Sequence, residues 1–206
     1  IQDEAEEDFA KMNAMIPMEK PYLKTKVFDI WKSRIVWLLL LMVSATFTGM
    51  IISSFETALA AQAILTAFIP MLMDSGGNSG SQASVTVIRG ISTGEIEFSD
   101  IFKVMWKEFR VSIMCGLSLG LATFIKIQLV DNLIMGSNIT PIVALVVCIT
   151  LGCTIIIAKF IGCTLPLIAR KIGFDPAVMA SPFITTIVDA VSLLIYFNVA
   201  HILLGI

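Results

Sequence analysis

Long apolar runs separated by short polar segments dominate this chain. Such runs cover residues 35–55, 57–88, 111–130, 141–169 and 177–206. A helix needs about 20 residues to cross the hydrocarbon core of a bilayer. Asp175 and Pro176 open the last run with residue types that favour the N-cap and the first position of a helix. The pattern therefore predicts an all-α, polytopic membrane protein with five transmembrane helices.

The second run is interrupted by polar residues. Pro70 is followed by the sequence DSGGNSGSQ at 74–82, in which three of nine residues are glycine. Bare backbone in lipid is costly, so an irregular segment at this depth must lie against protein or a wet cavity. We therefore expect the second helix to be broken here, with its free carbonyl groups turned toward ions. The alternative is an ordinary Gly/Ser loop outside the membrane.

One acidic residue stands alone in the fifth run. Asp189 is the only Asp, Glu, Lys or Arg after Asp175. A charged side chain in mid-membrane is costly, and this makes Asp189 a functional candidate. The alternative is a structural carboxylate paired with Lys159 or capped by hydroxyl groups. Further residues that would add polar or unpaired backbone groups to the same helix are Pro182, Thr185, Ser192 and Tyr196.

Composition and charge agree with a membrane protein. Apolar residues make up 57% of the chain and charged residues 15%, against roughly 25% charged in soluble domains. All but two of the 14 Lys and Arg residues fall on one side of a five-span arrangement. That side is predicted to be cytoplasmic. The N-terminus would then lie on the cytoplasmic side of the cell membrane and the C-terminus on the extracellular side. The exceptions are Lys126 and Lys159, of which Lys159 is expected to extend toward the inner surface.

The interrupted segment and the fifth run together resemble one family. Pro70 and residues 74–82 resemble the Pro-x5-Gly-Gly-Asn-x-Gly-x-Gln signature of the MgtE family of Mg²⁺ channels and transporters. The pairs Asp175-Pro176 and Ser181-Pro182, followed by TTIVD at 185–189, are similar to the fifth helix of that family. Residues 19–25 are similar to its approach to the first helix.

The resemblance implies a homodimer whose pore lies between protomers and is lined by the second and fifth helices. It implies Mg²⁺ as the transported ion, with Mn²⁺ or Co²⁺ as further candidates, and no enzymatic activity. The metal-site positions it implies are Asp74, Gly77, Thr185 and Asp189. The pore-lining or structural positions are Pro70, Gly76, Asn78, Gln82, Pro182 and Ser192.

The resemblance also divides the chain. Residues 1–34 are expected to be a cytosolic connecting helix and an amphipathic segment leading into the membrane, and residues 35–206 the five-helix pore domain. Bacterial members carry a cytosolic N-domain and paired CBS modules before the membrane part. Neither is found in this sequence, so we expect a portion of a longer protein. The expected partners are a second copy of the chain and the lipid bilayer. No basic patch interleaved with aromatic residues suggests nucleic acid.

Two other functions remain open at this point. A cation-coupled Mg²⁺ exchanger would use the same residues, with a proton or Na⁺ at Asp189. An intramembrane serine protease would pair Ser79, in a Gly-x-Ser-Gly string, with His201. The protease is disfavoured because the predicted spans place its two residues far apart, whereas such a dyad needs hydrogen-bond contact.

Overall fold

A computed structural model describes residues 7, 9–13, 15–17, 21–179 and 181–205, and this part of the chain contains helices and no strands. The α-helices are α1 (Val27–Ser54), α2 (Glu56–Ala61), α3 (Ile69–Ser92), α4 (Ile101–Lys126), α5 (Pro141–Lys171) and α6 (Ser181–Leu204). Short 3₁₀ segments cover Tyr22–Lys24, Ala63–Phe68, Phe98–Asp100 and Pro176–Met179, and a π-helical segment, Ile127–Ile134, continues α4.

Four helical stretches are long and apolar enough to cross a membrane. They are Val27–Ser54, Phe98–Ile134, Pro141–Lys171 and Pro182–Leu204. The first begins at Val27, eight residues before the predicted run. Helix α3 has 24 residues, but it is outside this set because its polar residues, Asp74, Asn78 and Gln82 above all, lower its mean hydropathy. An all-α membrane architecture is confirmed, whereas α3 stands as the remaining candidate for the fifth predicted span.

The break in the second span lies earlier than predicted. Helix α2 ends at Ala61, the 3₁₀ segment Ala63–Phe68 follows, and α3 then runs without interruption through residues 74–82. Pro70 stands at the start of α3, where its missing N–H leaves no helical hydrogen bond unmade. The prediction of a break at the glycine-rich segment was therefore wrong.

Close helix packing explains why the glycines stay helical. Gly76 and Gly80 are one turn apart and buried. A methyl group built on Gly76 would lie 2.6 Å from Thr154 Cγ2 of α5, and one built on Gly80 would lie 3.1 Å from the Ala158 carbonyl oxygen. Small residues spaced by four let membrane helices approach through their backbones. The glycines therefore serve contact between helices, and their backbone stays hydrogen-bonded within α3.

An ion pair joins α4 and α5 inside the bundle. Lys159 is buried, and its Nζ donates to Glu108 Oε2 at 3.5 Å. The side chains are 6% and 15% exposed. Lys159 of α5 therefore has a carboxylate partner on the neighbouring helix α4. It is not the partner of Asp189, so the ion-paired form of the structural alternative is not observed.

The start of α6 also differs from the prediction. Asp175 accepts a hydrogen bond from the Ala177 amide at 2.9 Å, but this caps the 3₁₀ segment, and α6 begins at Ser181. Pro182 is thus the second residue of α6, so it opens the helix and does not interrupt it. Lys11 donates to Asp175 at 2.7 Å. Partial burial works to raise the pKa of Asp175, but the hydrogen bonds from Lys11 and Ala177 hold it below its ordinary value.

The main core lies between α3, α5 and α6. Leu72 of α3, Leu151 of α5 and Phe197 of α6 are fully buried in one apolar cluster. Tyr196 is also buried there, and its hydroxyl donates to the Leu65 carbonyl oxygen at 2.9 Å. This bond ties α6 to the 3₁₀ segment before α3. The packing therefore holds the start of α3 against the middle of α6.

Candidate cation site

An open cavity of about 480 Å³ lies between the first half of α3 and the first half of α6. Its lining combines two carboxylates with an amide, a hydroxyl-bearing residue and a glycine. The lining residues are Ile69, Pro70, Met73, Asp74, Gly77, Asn78, Thr185 and Asp189. Six of the ten positions predicted from the sequence thus meet in one depression.

Gly77 sets how closely the two helices approach. A methyl group built on Gly77 would lie 2.9 Å from Thr185 Cγ2 and 3.6 Å from Asp189 Oδ1. The first distance is too short for a side chain at position 77 unless Thr185 or α6 moves. Glycine at this position therefore keeps the α3 backbone beside Thr185 and Asp189.

Exposed polar residues form a ridge along α3. Asp74, Asn78 and Gln82 are one turn apart and all exposed. Asn78 Nδ2 donates to Asp74 Oδ1 at 3.0 Å, which holds that carboxylate beside the cavity. In hydrocarbon the polar side chains of this ridge would lack hydrogen-bond partners. It therefore requires contact with water, an ion or another protein surface.

The α6 side of the cavity carries Asp189 and Thr185. Asp189 is half-buried, and Thr185 Oγ1 donates to the Pro182 carbonyl oxygen at 2.9 Å. The donated proton leaves the lone pairs of Thr185 Oγ1 able to accept from a hydrated ion. Carboxylate, amide and hydroxyl oxygens are ligands for hard divalent cations such as Mg²⁺. The described residues contain no cluster of three or more His, Cys, Asp or Glu side chains. The oxygen atoms that line the cavity therefore suit a cation that keeps most of its bound water.

The other predicted positions lie around the cavity and do not line it. Ser192 is buried, its hydroxyl donates to the Val188 carbonyl oxygen at 2.6 Å, and a methyl group on Gly76 would meet it at 2.9 Å. Gln82 lies one turn beyond Asn78 on the exposed ridge, and Pro182 opens α6. These positions support the helices that form the site.

Sequence reasoning missed two cavity residues and one supporting residue. Ile69 and Met73 line the cavity as apolar neighbours of Asp74, and no sequence signal separates them from other apolar residues of the span. Thr154 of α5 packs behind Gly76. Its hydroxyl, like that of Thr150 one turn earlier, is buried without a hydrogen-bond partner among the described residues. Two threonines four residues apart in an apolar run could have marked this face.

The geometry gives no support to a serine protease. Gly80 packs beside Ile184 and Val188 of α6. Its neighbour Ser79 therefore lies beside the same part of α6. His201 lies 13 residues beyond Val188 in the same helix, or about 20 Å along its axis at 1.5 Å per residue. No Ser79–His201 hydrogen bond can form across that distance.

A family model described as MgtE, divalent cation transporter, matches residues 69–199. This chain belongs to the MgtE family. The matched segment includes all ten predicted site positions, from Pro70 to Ser192, and so places the cavity within the part that defines MgtE proteins.

Named relatives agree with this membership. The chain is 30% identical over 204 residues to the magnesium transporter MgtE of Thermus thermophilus, and 36% identical over 197 residues to that of Bacillus subtilis. The alignments cover 99% and 96% of this chain. They cover 44% and 42% of the two relatives, so the chain spans less than half the length of the MgtE proteins it matches.

Proposed function

We propose that this chain is the membrane portion of a protein that moves Mg²⁺ across the cell membrane, with Asp189 as the principal ion-binding residue. The observation that carries the proposal is the convergence of Asp74 and Asp189 on one open cavity between two packed helices. The magnesium transport named for the relatives supports the choice of ion.

The cavity chemistry matches the properties of Mg²⁺. This ion favours octahedral oxygen coordination and loses water reluctantly. Asp189 supplies charge, while Asp74, Asn78 and Thr185 supply oxygen atoms that accept hydrogen bonds from bound water. A site with few direct ligands also releases its ion, which conduction requires. Mn²⁺ and Co²⁺ accept similar oxygen ligands and are expected to compete with Mg²⁺.

We infer that two copies of the chain enclose the ion path. The ridge of Asp74, Asn78 and Gln82 is exposed in one protomer, beside the open cavity. A twofold axis near this ridge would place the ridges of two protomers opposite each other. The cavity would then be shielded from lipid. The pore would then be lined by α3 and α6, and two Asp189 carboxylates would share one dication. Light scattering in detergent is expected to give the mass of a dimer, and a monomer at all protein concentrations would remove the shared pore.

The transport proposal is tested at Asp189. Asp189→Asn keeps the size of the side chain and removes its charge, so Mg²⁺ uptake into liposomes should fall at least about tenfold, since a charge-assisted contact contributes roughly 1.5–3 kcal/mol. Asp29→Asn, which removes a carboxylate from the exposed start of α1, is the matched control and should transport normally.

A thermal melt of the same proteins separates binding from folding. Asp189→Asn should keep the melting temperature of the wild type while losing transport. A lower melting temperature with full transport per folded molecule would identify Asp189 as a structural residue and refute the proposal.

A further inference from the structure

Trp106 and Phe109 of α4 and Phe160 of α5 form an aromatic row. The ring centroids of Trp106 and Phe109 are 5.7 Å apart, and those of Phe109 and Phe160 are 6.0 Å apart. With Phe102 and Met105 they line an open hollow of about 340 Å³. Phe102 and Trp106 are 79% and 59% exposed. A tryptophan such as Trp106 at the end of a membrane span favours the headgroup level of the bilayer.

Cations follow one edge of this row. Lys103, Lys107 and Arg110 are spaced four and three residues apart, so they share one side of α4, and all three are exposed. The Arg110 guanidinium carbon lies 5.9 Å from the Trp106 ring centroid. Aromatic surface and positive charge are thus adjacent on the same outward face.

Two of these cations lack a carboxylate partner in the part of the chain that the structure describes. Lys103 pairs with Asp100 at 2.8 Å, and the nearby Glu108 pairs with Lys159. Among the described residues, neither Lys107 nor Arg110 has a carboxylate oxygen within 4.0 Å. The edge therefore carries uncompensated positive charge beside an apolar surface.

A second groove lies about one helical turn further along the α4–α5 seam, beginning at Ser112 and Ile156. It measures about 520 Å³ and is lined by small and apolar residues, among them Gly116, Gly120 and Gly152. Its lining reaches Leu121, which is 11 residues or about 16 Å from Arg110 along α4. That length is close to half of the roughly 30 Å hydrocarbon core, which is the depth of one leaflet.

We propose that an anionic phospholipid binds along the α4–α5 seam, with its phosphate on Lys107 and Arg110, its glycerol region on the aromatic row and one acyl chain in the glycine-lined groove. Basic residues beside a groove between membrane helices are suited to anionic headgroups. A second copy of the chain fits this face less well, because a twofold contact would bring the same cations together. The proposal needs the chain to lie in a membrane and does not depend on ion transport.

Fluorescence quenching by brominated lipid tests the site directly. Trp31→Phe and Trp37→Phe leave Trp106 as the single tryptophan of the chain. In vesicles, brominated phosphatidylglycerol should quench Trp106 more strongly than brominated phosphatidylcholine. Each cation near an anionic surface favours binding by about fivefold, so two should give a preference of about 25-fold. Equal quenching by the two lipids would overturn the proposal.

Two pairs of variants separate the headgroup contact from the groove. Lys107→Gln with Arg110→Gln should abolish the preference, whereas Lys24→Gln with Lys26→Gln, which removes two exposed cations before α1, should retain it. Gly152→Leu should weaken binding of both lipids by filling the groove. Gly49→Leu is its matched control, since a Cβ at either glycine meets nothing within 4 Å.

The outcomes of these variants are decisive either way. A preference that survives loss of Lys107 and Arg110 would refute the headgroup contact, and loss of preference in both cation pairs would reduce it to general surface charge. Arg110→Gln alone, with an intermediate preference expected, serves if the double variant does not fold. Asp189→Asn should leave the quenching unchanged, so this proposal and the transport proposal can fail separately.

Discussion

Gly76→Ala is expected to weaken the helix bundle because α3 and α5 leave no room for a methyl group. The built Cβ lies 2.6 Å from Thr154 Cγ2, 2.9 Å from Ser192 Oγ and 3.0 Å from Val188 Cγ1. All three neighbours are buried, so none can move aside into solvent. Inserting one methyl group into such a contact forces side chains off their rotamers or displaces backbone, which costs about 1–3 kcal/mol.

Helix propensity works in the opposite direction. Alanine is preferred to glycine inside a helix by roughly 1 kcal/mol, so the net loss for Gly76→Ala is about 0–2 kcal/mol. Gly49→Ala in α1 gains the same propensity and meets nothing within 4 Å. The difference between the two variants, about 1–3 kcal/mol, isolates the steric cost.

Reversible unfolding or melting in detergent measures this difference. Gly76→Ala should melt below wild type or near it, and Gly49→Ala should melt at or above it. Thr154→Ser removes the nearest methyl group, so in combination with Gly76→Ala it should recover at least about 0.5 kcal/mol beyond the sum of the single changes. Equal melting temperatures for Gly76→Ala and Gly49→Ala would refute close packing at this glycine.

Three further predictions concern contacts away from the cavity. Lys159→Met leaves the Glu108 carboxylate buried and unpaired, so it should destabilise the fold by about 3–5 kcal/mol, and adding Glu108→Gln should restore most of the melting temperature; a double variant as unstable as the single one would contradict the pair. Tyr196→Phe removes a buried hydroxyl donor and should cost about 1–2 kcal/mol by the same measurement, whereas an unchanged melting temperature would exclude the bond. Lys11→Gln should lower the melting temperature at neutral pH. Because the pKa of Asp175 is lowered in the folded state, the pair is fully formed above pH about 4 and is lost as the pH falls through that lower pKa, so the two proteins should converge in acid; a difference that does not shrink as the pH falls below about 4 would contradict the pairing.

The apolar runs were sufficient to predict helices in the membrane class. Hydrocarbon leaves helices and closed barrels as the spanning structures, and the long uninterrupted runs exclude the alternating pattern of barrel strands. The position of the break was not predictable by the same reasoning. Glycine and proline both read as helix breakers from sequence, yet Gly76 and Gly77 are compatible with a helix once α5 and α6 approach them.

The polar residues that line the cavity were predicted from the sequence, and the apolar ones were not. A lone Asp189 in an apolar run is costly in lipid, and this cost identified it as a functional candidate from the sequence. Ile69 and Met73 carry no such signal. The buried pair of Glu108 and Lys159 was also missed, because pairing between helices depends on the register of α4 against α5, which local sequence does not encode.

Single-channel recording with Mg²⁺ as the sole permeant cation tests the central claim most directly. We expect discrete current steps from the wild-type chain in a planar bilayer and the loss of those steps in Asp189→Asn, with Asp29→Asn behaving as wild type. Slow Na⁺-dependent flux without current steps would indicate an exchanger that uses the same residues. Mg²⁺ current steps of unchanged size in Asp189→Asn would contradict an ion path through this cavity.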